Sequence, residues 1–356
     1  MSDYFDAVAD LPLSIESVDR ERRDRDTSSG FVRTTTTFHL AGAGAVGRGE
    51  DVTYDTEDHD ALADAAFDLA GEYTVASFSA HLDDIDLFPT KPPEREPSRH
   101  YRRWAVESAA LDLALRQNEL SLAEAVGRDP DPVRFVASMR LGEPPTTDRL
   151  DAVLDAYPET EFKLDPTPEW DEDLIRSVAA TDAVRILDLK GLYEGTEVDA
   201  DPDPELYGSL LSAFPEAVIE DPGLTPETRP LFDAEEGRVS WDYPITGVAS
   251  VEELPFEPAW LNVKPSRFGT VESLFVTIEW AADRGCSSTA ADSSSWASAA
   301  ITSNCWRRCS IPTDRTTSRP AATTIRRSHP TCRPVRLRRR RTASGWRGSD
   351  TDGRTD

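Results

Sequence analysis

Charged residues end a series of short apolar runs in the second half of the chain, and their types and spacing could support chemistry. The runs, with the charged residues that end them, are 184–190 with Asp188 and Lys190, 217–222 with Glu220 and Asp221, 239–244 with Asp242, and 261–265 with Lys264. Carboxyl and amino groups are the ones that enzymes use to move protons. If the runs are parallel strands of a (β/α) barrel, these groups meet in one pocket, because the loops after such strands converge.

The four runs are predicted to be strands three to six of a barrel. They recur every 20 to 35 residues, the length of a βαβ unit. Residues 133–139 are predicted as strand one, 148–157 as the following helix and 161–165 as strand two, and 275–282 as the helix after strand six. The predicted barrel spans residues 131–285, and no recognisable strands seven and eight follow it.

Residues 1–130 are predicted to form an α+β capping domain. Residues 13–18 alternate in polarity and residues 31–40 are β-branched and aromatic, so both segments are predicted as strands. The charged, turn-rich segment 19–30 between them is predicted to be a mobile loop that closes over a substrate. Helices are predicted at 59–73 and, as a long linking helix, at about 98–126.

The segment 42–47 matches the pattern GxGxxG after a strand. A dinucleotide site would also require a following helix and a ribose-binding acid within a βαβ unit, and neither is recognisable here. The sequence therefore predicts a hairpin turn between two strands.

Composition limits the classes of partner. The chain has 356 residues, enough for two domains, and a net charge of −27, which argues against nucleic acid and anionic membranes. No apolar stretch reaches the roughly 18 residues of a membrane span and no leader is evident, so a cytoplasmic protein is predicted. Only four of the 39 basic residues are lysines, which is typical of adaptation to high salt, yet Lys163, Lys190 and Lys264 end predicted strands. That placement predicts a chemical role.

Residues 286–356 differ from the rest of the chain. They contain 14 Arg, five Asp, no Lys, no Glu and all four cysteines. The tail therefore carries a net charge of +9 and the first 285 residues a net charge of −36, which sum to −27. A nucleic-acid arm at 336–341 is not favoured, because the arginines lack interleaved aromatic residues. A zinc site is not favoured either, because the cysteines lack CxxC spacing. Read in a neighbouring frame, residues 285–296 allow the string VQLYGGGQFELG, which favours a frameshift near codon 285 over a disordered basic tail. The nucleotide sequence of codons 280–300 would decide between them.

The ordered set of motifs resembles the enolase superfamily, in its muconate-lactonizing and mandelate-racemase-like branch. The resemblance rests on 104–115 in the long helix, Ile-Glu-Asp-Pro at 219–222, Trp-Asp at 241–242 and Val-Lys-Pro-Ser-Arg-Phe-Gly at 263–269. It covers roughly residues 10–285 and implies an α/β fold, a modified (β/α) TIM-type barrel with an N-terminal α+β capping domain. Here the barrel is expected to be incomplete after residue 285.

The resemblance also implies a metal site and a reaction. It implies that Asp188, Glu220 and Asp242 bind Mg²⁺, a hard cation that takes oxygen ligands. The ion stabilises the enediolate that forms when a base removes a proton α to a carboxylate. Lys264 matches a base position of the family.

Two departures from the family leave roles open. The family has Lys-x-Lys on strand two, whereas this chain has Lys163 and Asp165, which share a strand face and could both reach the pocket. On strand three Lys190 stands where the family usually has Asn. Its ammonium could pair with Asp188 and Glu220 and weaken or replace the metal, it could act as an acid or base, or it could close the barrel as a buried ion pair.

The sequence therefore predicts an enolase-superfamily lyase, such as a dehydratase, or a cycloisomerase that acts on a small carboxylic acid. With one of two opposed lysines missing, a racemase or epimerase is less favoured, and this translation of the gene is expected to be unstable or inactive. A non-catalytic binding protein with the same fold is the alternative from another class, and a homo-oligomer stays open.

Overall fold

The computed structural model describes residues 2–26, 32–129, 134–193 and 200–290. Parts of several predictions lie outside the described residues: the end of the predicted loop at 27–30, the first residues of two predicted strands at 31 and 133, and the tail from residue 291. Within the described ranges no helix is long and apolar enough to cross a membrane.

The N-terminal part is the predicted α+β capping domain. Its elements are α1 (Asp3–Ala9), β1 (Pro12–Ile15), β2 (Ser17–Asp26), β3 (Val32–Gly42), β4 (Ala45–Asp51), α2 (Thr56–Leu62), β5 (Gly71–Thr74), α3 (Val75–Asp83), α4 (Ser98–Gln117) and α5 (Leu122–Ala125). Strands β2, β3 and β4 form an antiparallel sheet in that order, and β1 pairs antiparallel with β5.

The GxGxxG segment is the β3–β4 hairpin, as predicted. Its turn residues Ala43 and Gly44 have φ angles of 47° and 77°, and positive φ at both central positions suits the twist of a two-residue hairpin. Farther along β4, Gly47 and Gly49 allow close packing against α4. A Cβ on Gly49 would lie only 1.9 Å from the carbonyl oxygen of Ala105. These glycines serve a turn and a helix–strand contact.

Two predictions for the capping domain are wrong. Residues 19–26 are not a loop but most of β2, whose ten residues pair with β3. Their side chains are mostly exposed, so no apolar alternation marks the strand. The predicted helix at 59–73 is the end of α2, which stops at Leu62, followed by β5 from Gly71.

The long linking helix is shorter than predicted, because α4 ends at Gln117 and α5 is separate.

The C-terminal part alternates parallel strands with helices. Its elements are β6 (Val136–Met139), α6 (Asp148–Ala156), β7 (Glu161–Leu164), α7 (Glu172–Ala179), β8 (Val184–Asp188), α8 (Pro204–Ala213), β9 (Val218–Glu220), β10 (Val239–Trp241), α9 (Val248–Glu252), β11 (Trp260–Val263), α10 (Val271–Asp283) and β12 (Ser287–Ala290). Short 3-10 helices lie at Arg229–Phe232, Glu236–Arg238 and Pro265–Phe268.

These strands form a curled parallel sheet in the order β12-β11-β10-β9-β8-β7-β6, an incomplete TIM-type barrel within the described residues. The six predicted strands correspond to β6–β11. The barrel is incomplete within these residues, as expected, and it contains one strand beyond the six predicted: β12 pairs in parallel with β11 from Trp260 with Ser287 to Val263 with Ala290. The strand is short and poor in apolar residues, which is why it has no sequence signature.

Helix α4 joins the capping domain to the barrel. Phe38 of β3, Leu113 of α4 and Phe275 of α10 are fully buried members of one continuous hydrophobic core. The buried carboxylate of Glu107 on α4 accepts a hydrogen bond from the Val271 amide at the start of α10, at 3.2 Å. The cap is therefore held against the barrel by packing and by a polar contact at a helix N-terminus.

Candidate active site

Three carboxylates meet at the carboxyl ends of adjacent barrel strands. Asp188 is the last residue of β8, Glu220 is the last residue of β9 and Asp242 follows β10. One oxygen from each lies within 4.8 Å of the others, and all three side chains are fully buried. Because parallel strands in register end at one edge of the sheet, consecutive strands bring these residues together.

Cationic side chains surround the three carboxylates. Lys163 Nζ lies 2.8 Å from Asp188 Oδ2 and also binds Glu220. Lys264 Nζ donates to Asp242 Oδ2 at 2.5 Å. Lys190 Nζ pairs with Asp188. The three strand-end lysines that the sequence singled out therefore all contact the predicted metal ligands.

The two aspartates keep their negative charge. Burial alone would raise the pKa of Asp188, but Lys163 and Lys190 hold it far below its usual range. Burial likewise opposes ionisation of Asp242, and the charges of Arg267 and Lys264 hold its pKa well below the usual value. These carboxylates are therefore ionised at neutral pH because cations lie beside them.

Glu220 and its neighbour Asp221 behave differently. Burial is the main cause that raises the pKa of Glu220 to about 8, and the negative charges of Asp188 and Asp242 add to it against the attraction of Lys163. Burial and the same two aspartates raise the pKa of Asp221 to about 7, although the carboxylate accepts hydrogen bonds from the Asp242 and Tyr243 amides at 2.8 and 2.9 Å. The two carboxyls thus resist simultaneous ionisation without additional positive charge.

Asp165 lies at the end of β7, where the family pattern has its second lysine. Its Oδ1 is buried without a hydrogen-bond partner in the described part of the chain, and its Oδ2 has only a long contact with Arg140, at 3.4 Å. Burial raises the pKa of Asp165, against the opposing charge of Lys190. A buried carboxyl with a raised pKa can carry a proton.

Several residues at this site were not predicted from the sequence. Arg267, three residues after Lys264, donates to Asp242 Oδ1 at 2.8 Å. Asn262, on β11, donates to Glu220 Oε2 at 3.1 Å, while its own Oδ1 is buried without a partner among the described residues. Its alternation with Lys264 along a predicted strand was a signal for it.

Two tyrosines also reach the pocket. The Tyr193 hydroxyl donates to Asp242 Oδ2 at 3.2 Å, and its ring lies 4.9 Å from Lys190 Nζ. Tyr54, between β4 and α2, comes from the capping domain. Although 40% of the residue is exposed, the partial burial of Tyr54 opposes its ionisation, but the charges of Lys264, Arg33 and Arg267 lower its pKa below the usual value. No sequence signal pointed to either residue.

The donor set fits a hard divalent cation. Three carboxylates from three strands supply oxygen ligands, and the unpartnered Asn262 Oδ1 beside Glu220 is a further buried oxygen. Mg²⁺ prefers such ligands and retains places for water and substrate. The lysines contact the same oxygens, so an ion would share or displace part of this network.

Comparison with known proteins gives a consistent picture. The chain matches the family models of the N-terminal and C-terminal domains of DUF8230, a domain of unknown function, at residues 6–125 and 129–290. No curated protein matches it by sequence.

Solved structures of similar fold include a dipeptide epimerase from Methylococcus capsulatus complexed with Mg ion, with TM-score 0.64, 15% identity and coverage of 86% of this chain and 90% of that chain. A muconate cycloisomerase from Pseudomonas fluorescens has TM-score 0.62, 15% identity and coverage of 86% and 87%. An unknown member of the enolase superfamily from Enterococcus faecalis V583 has TM-score 0.59, 15% identity and coverage of 86% of both chains. The fold is that of the enolase superfamily, as the sequence motifs implied.

Proposed function

Since the chain belongs to the DUF8230 family and has the fold of the enolase superfamily, we propose that it is a Mg²⁺-dependent lyase or cycloisomerase acting on a small carboxylic acid. The observation that carries this proposal is the meeting of Asp188, Glu220 and Asp242 within 4.8 Å, with Lys264 bonded to Asp242. A metal site with an adjacent amine is the combination that removal of a proton α to a carboxylate requires.

Charge balance supports an anionic substrate. Among the described residues, five carboxyl groups and four cationic groups interact at the site: Asp165, Asp188, Glu220, Asp221, Asp242, Lys163, Lys190, Lys264 and Arg267. Fully ionised, they sum to −1. One divalent cation and one carboxylate would bring the site to neutrality, which favours their joint binding in a region closed to water.

Asp188, Glu220 and Asp242 would hold the metal. When bound, Mg²⁺ orients the substrate carboxylate and stabilises the negative charge that develops on it. Hydrogen bonds of the protein position Asp242. The Asp221 carboxylate accepts hydrogen bonds from the Asp242 and Tyr243 amides, and Arg267 donates to the carboxylate and to the carbonyl oxygen of Asp242.

Lys264 is the proposed base. It lies after β11 with its amine on Asp242, and to accept a proton from the substrate it must be neutral and released from that bond. Lys163 and Lys190 suit this role less well. Burial by itself would lower the pKa of each, but the acids beside them raise both above the usual lysine value, so both stay protonated. We assign them to charge balance.

Asp165 is the proposed proton donor. Asp165 and Lys264 directly follow β7 and β11, the second and sixth barrel strands, which would lie opposite each other in a complete eight-stranded barrel. The amine of Lys264 would remove the α-proton from one face of the substrate. The protonated carboxyl of Asp165 would protonate a leaving group, or a ring-opened product, on the other face. Racemisation would also require Asp165 to remove the α-proton in the reverse direction, for which a carboxylate is a weaker base than the lysine of the family pattern, so we favour elimination or cycloisomerisation.

The test is exchange of the α-proton. The protein is incubated in D₂O with Mg²⁺ and a library of acid sugars and amino-acid derivatives, and deuterium at the α-carbon or a new product is followed by NMR. We expect exchange or turnover with at least one compound, abolished in Lys264→Met and retained in Lys91→Met, a lysine of the capping domain that bonds to Asp58 and Glu94. Exchange that survives in Lys264→Met would remove this residue from the mechanism.

A non-catalytic binding protein is the second candidate. It is favoured by the fact that every carboxylate of the triad already has a cationic partner, as in a closed structural network. Melting temperature separates the two: absence of stabilisation by Mg²⁺ would support the non-catalytic candidate, as a binding protein if a carboxylate ligand alone stabilises it and as a scaffold if none does.

A further inference from the structure

Lys190 is held against Asp188 by its backbone as well as its side chain. Its φ angle is 56°, in the left-handed region that is rare for residues other than glycine. In this conformation its amide donates to Asp188 Oδ1 at 3.3 Å and its ammonium donates to Oδ2. The chain after β8 therefore folds back so that one residue bonds to both oxygens of a proposed metal ligand.

Asp188 Oδ2 has a second ammonium partner. Lys163 Nζ lies 2.8 Å from this oxygen and also binds Glu220. A carboxylate oxygen has two lone pairs, so two ammonium groups leave no lone pair of Oδ2 for a metal ion. A metal bound there must remove at least one of them.

The two lysines differ in how easily they can leave. Lys163 is nearly buried, with 9% of its side chain exposed, and it bridges two acids of the triad. Lys190 is 15% exposed and, among the residues that the structure describes, pairs with one acid, with the Tyr193 ring beside it. Lys190 can therefore leave Asp188 more readily, whereas removal of Lys163 would also take the cation from Glu220.

We propose that Lys190 competes with a divalent cation for Asp188 and thereby lowers the affinity of the site for the ion. This inference rests on the proposed metal site. The ammonium of Lys190 compensates the buried negative charge of Asp188. The same ammonium weakens metal binding, because its charge repels a cation beside Asp188 and an ion that uses Oδ2 must displace an ammonium group.

The test is direct measurement of metal binding. Mg²⁺ binding is measured by calorimetry at constant ionic strength, with Mn²⁺ and electron paramagnetic resonance as a second probe, in the full-length wild type, Lys190→Asn and Lys190→Met. We expect both variants to bind roughly ten- to hundredfold more tightly than the wild type, the usual range for changes beside metal ligands. Lys91→Asn is the matched control and should bind as the wild type does. The Mg²⁺-induced rise in melting temperature should follow the same order, and a variant without metal should melt lower than the wild type.

The outcomes separate this inference from the proposed function. If the wild type binds Mg²⁺, Asp188→Asn abolishes binding and both Lys190 variants bind no more tightly than the wild type, Lys190 does not compete and only this inference fails. If none of these proteins binds Mg²⁺ or Mn²⁺, the metal site itself is wrong and both proposals fall.

Discussion

At the scale of single residues, the cation beside each buried carboxylate decides its state. Asp188 and Asp242 each contact two cations and have lowered pKa values, whereas Glu220 contacts one and has a pKa raised to about 8. The same rule operates in the capping domain, where Asp51 is fully buried and accepts a hydrogen bond from Arg102 Nε at 2.8 Å. Breaking such a pair leaves its partner as an unpaired buried charge.

Asp51→Asn should therefore destabilise the protein by about 3–5 kcal/mol, measured by urea unfolding near neutral pH. The matched control is Asp173→Asn, which breaks an ion pair with Arg176 whose side chains are 89% and 69% exposed. Because water and salt screen exposed pairs, that change should cost at most about 1 kcal/mol. Equal losses in the two variants would contradict the role of burial.

The Asp51 effect should also depend on pH. Burial alone would raise its pKa, but the charges of Arg102 and His59, with hydrogen bonds from Thr53 and Arg102, lower it below the usual value. A carboxyl with a lowered folded pKa contributes its stability above the unfolded pKa of about 3.9 and loses it as the pH falls. The difference between wild type and Asp51→Asn should shrink as unfolding is measured from about pH 6 to about pH 3.

The site residues that end strands could be predicted, and those that approach from elsewhere could not. Asp188, Glu220 and Lys264 stand directly after apolar runs, so their positions follow from the barrel pattern. Tyr54 belongs to a different domain, and its place beside the barrel depends on how α4 joins the two. A single sequence carries no signal for that contact, because it arises from tertiary packing.

At the scale of elements, strands were predictable where one face is buried. Barrel strands β7 to β11 and β3 carry apolar residues that mark them, whereas β2 exposes most of its side chains and is held by its ladder with β3. Its alternating Arg and Asp therefore indicated a loop. The four-residue β5 has too few residues to show any period.

The contact of β4 with α4 gives a prediction for glycines. Gly49→Ala should destabilise the protein by about 1–3 kcal/mol or more, because its Cβ would lie 1.9 Å from a backbone oxygen that cannot move without the helix. Gly208→Ala, in α8, is the control: a Cβ there meets nothing within 4 Å. It should stabilise by up to about 1 kcal/mol through helix propensity. Denaturant unfolding of both variants checks the pair, and a tolerated Gly49→Ala would show that the helix can shift.

Strand β12 is poorly filled. Ser287 and Ser288 border a cavity of about 110 Å³ between the strand and α10, and the buried Ser288 hydroxyl has no partner among the described residues. The neighbouring reading frame places Leu and Tyr near positions 287 and 288, side chains that would occupy more space. The frameshift is still a prediction. If it is correct, serines stand at 287 and 288 in place of larger side chains, and a cavity beside the strand is the expected consequence.

Ser288→Val should raise stability by about 1–2 kcal/mol, because it fills part of the cavity and removes an unpaired hydroxyl. Ser250→Ala is the control, since its hydroxyl accepts from the Thr246 amide at 2.9 Å and donates to the Gly247 carbonyl at 2.7 Å. That change should cost about 1 kcal/mol. Thermal unfolding compares them, and a loss of stability in Ser288→Val would mean that the strand tolerates no larger side chain.

At the scale of the whole molecule, charge decides the conditions under which the fold is stable. The net charge of −27, and −36 over the first 285 residues because the tail contributes +9, produces repulsion that opposes compaction. Ion pairs compensate it locally around Lys163 and Arg102. Many acids are exposed and repel one another, and counterions relieve this repulsion.

Stability should therefore rise with salt. The Debye length falls from about 10 Å at 0.1 M to about 3 Å at 1 M, which removes most repulsion between surface charges. We expect the melting temperature to rise by roughly 10 °C between about 0.1 M and about 2 M KCl. A variant with the exposed residues Asp155, Glu252 and Glu253 changed to Lys raises the net charge by six and places cations near helix C-termini. It should melt higher at low salt and depend less on KCl. If the variant shows the same salt dependence as the wild type, salt stabilises the protein by strengthening hydrophobic burial and not by screening charges. The acidic composition would then not be the reason that salt raises the melting temperature.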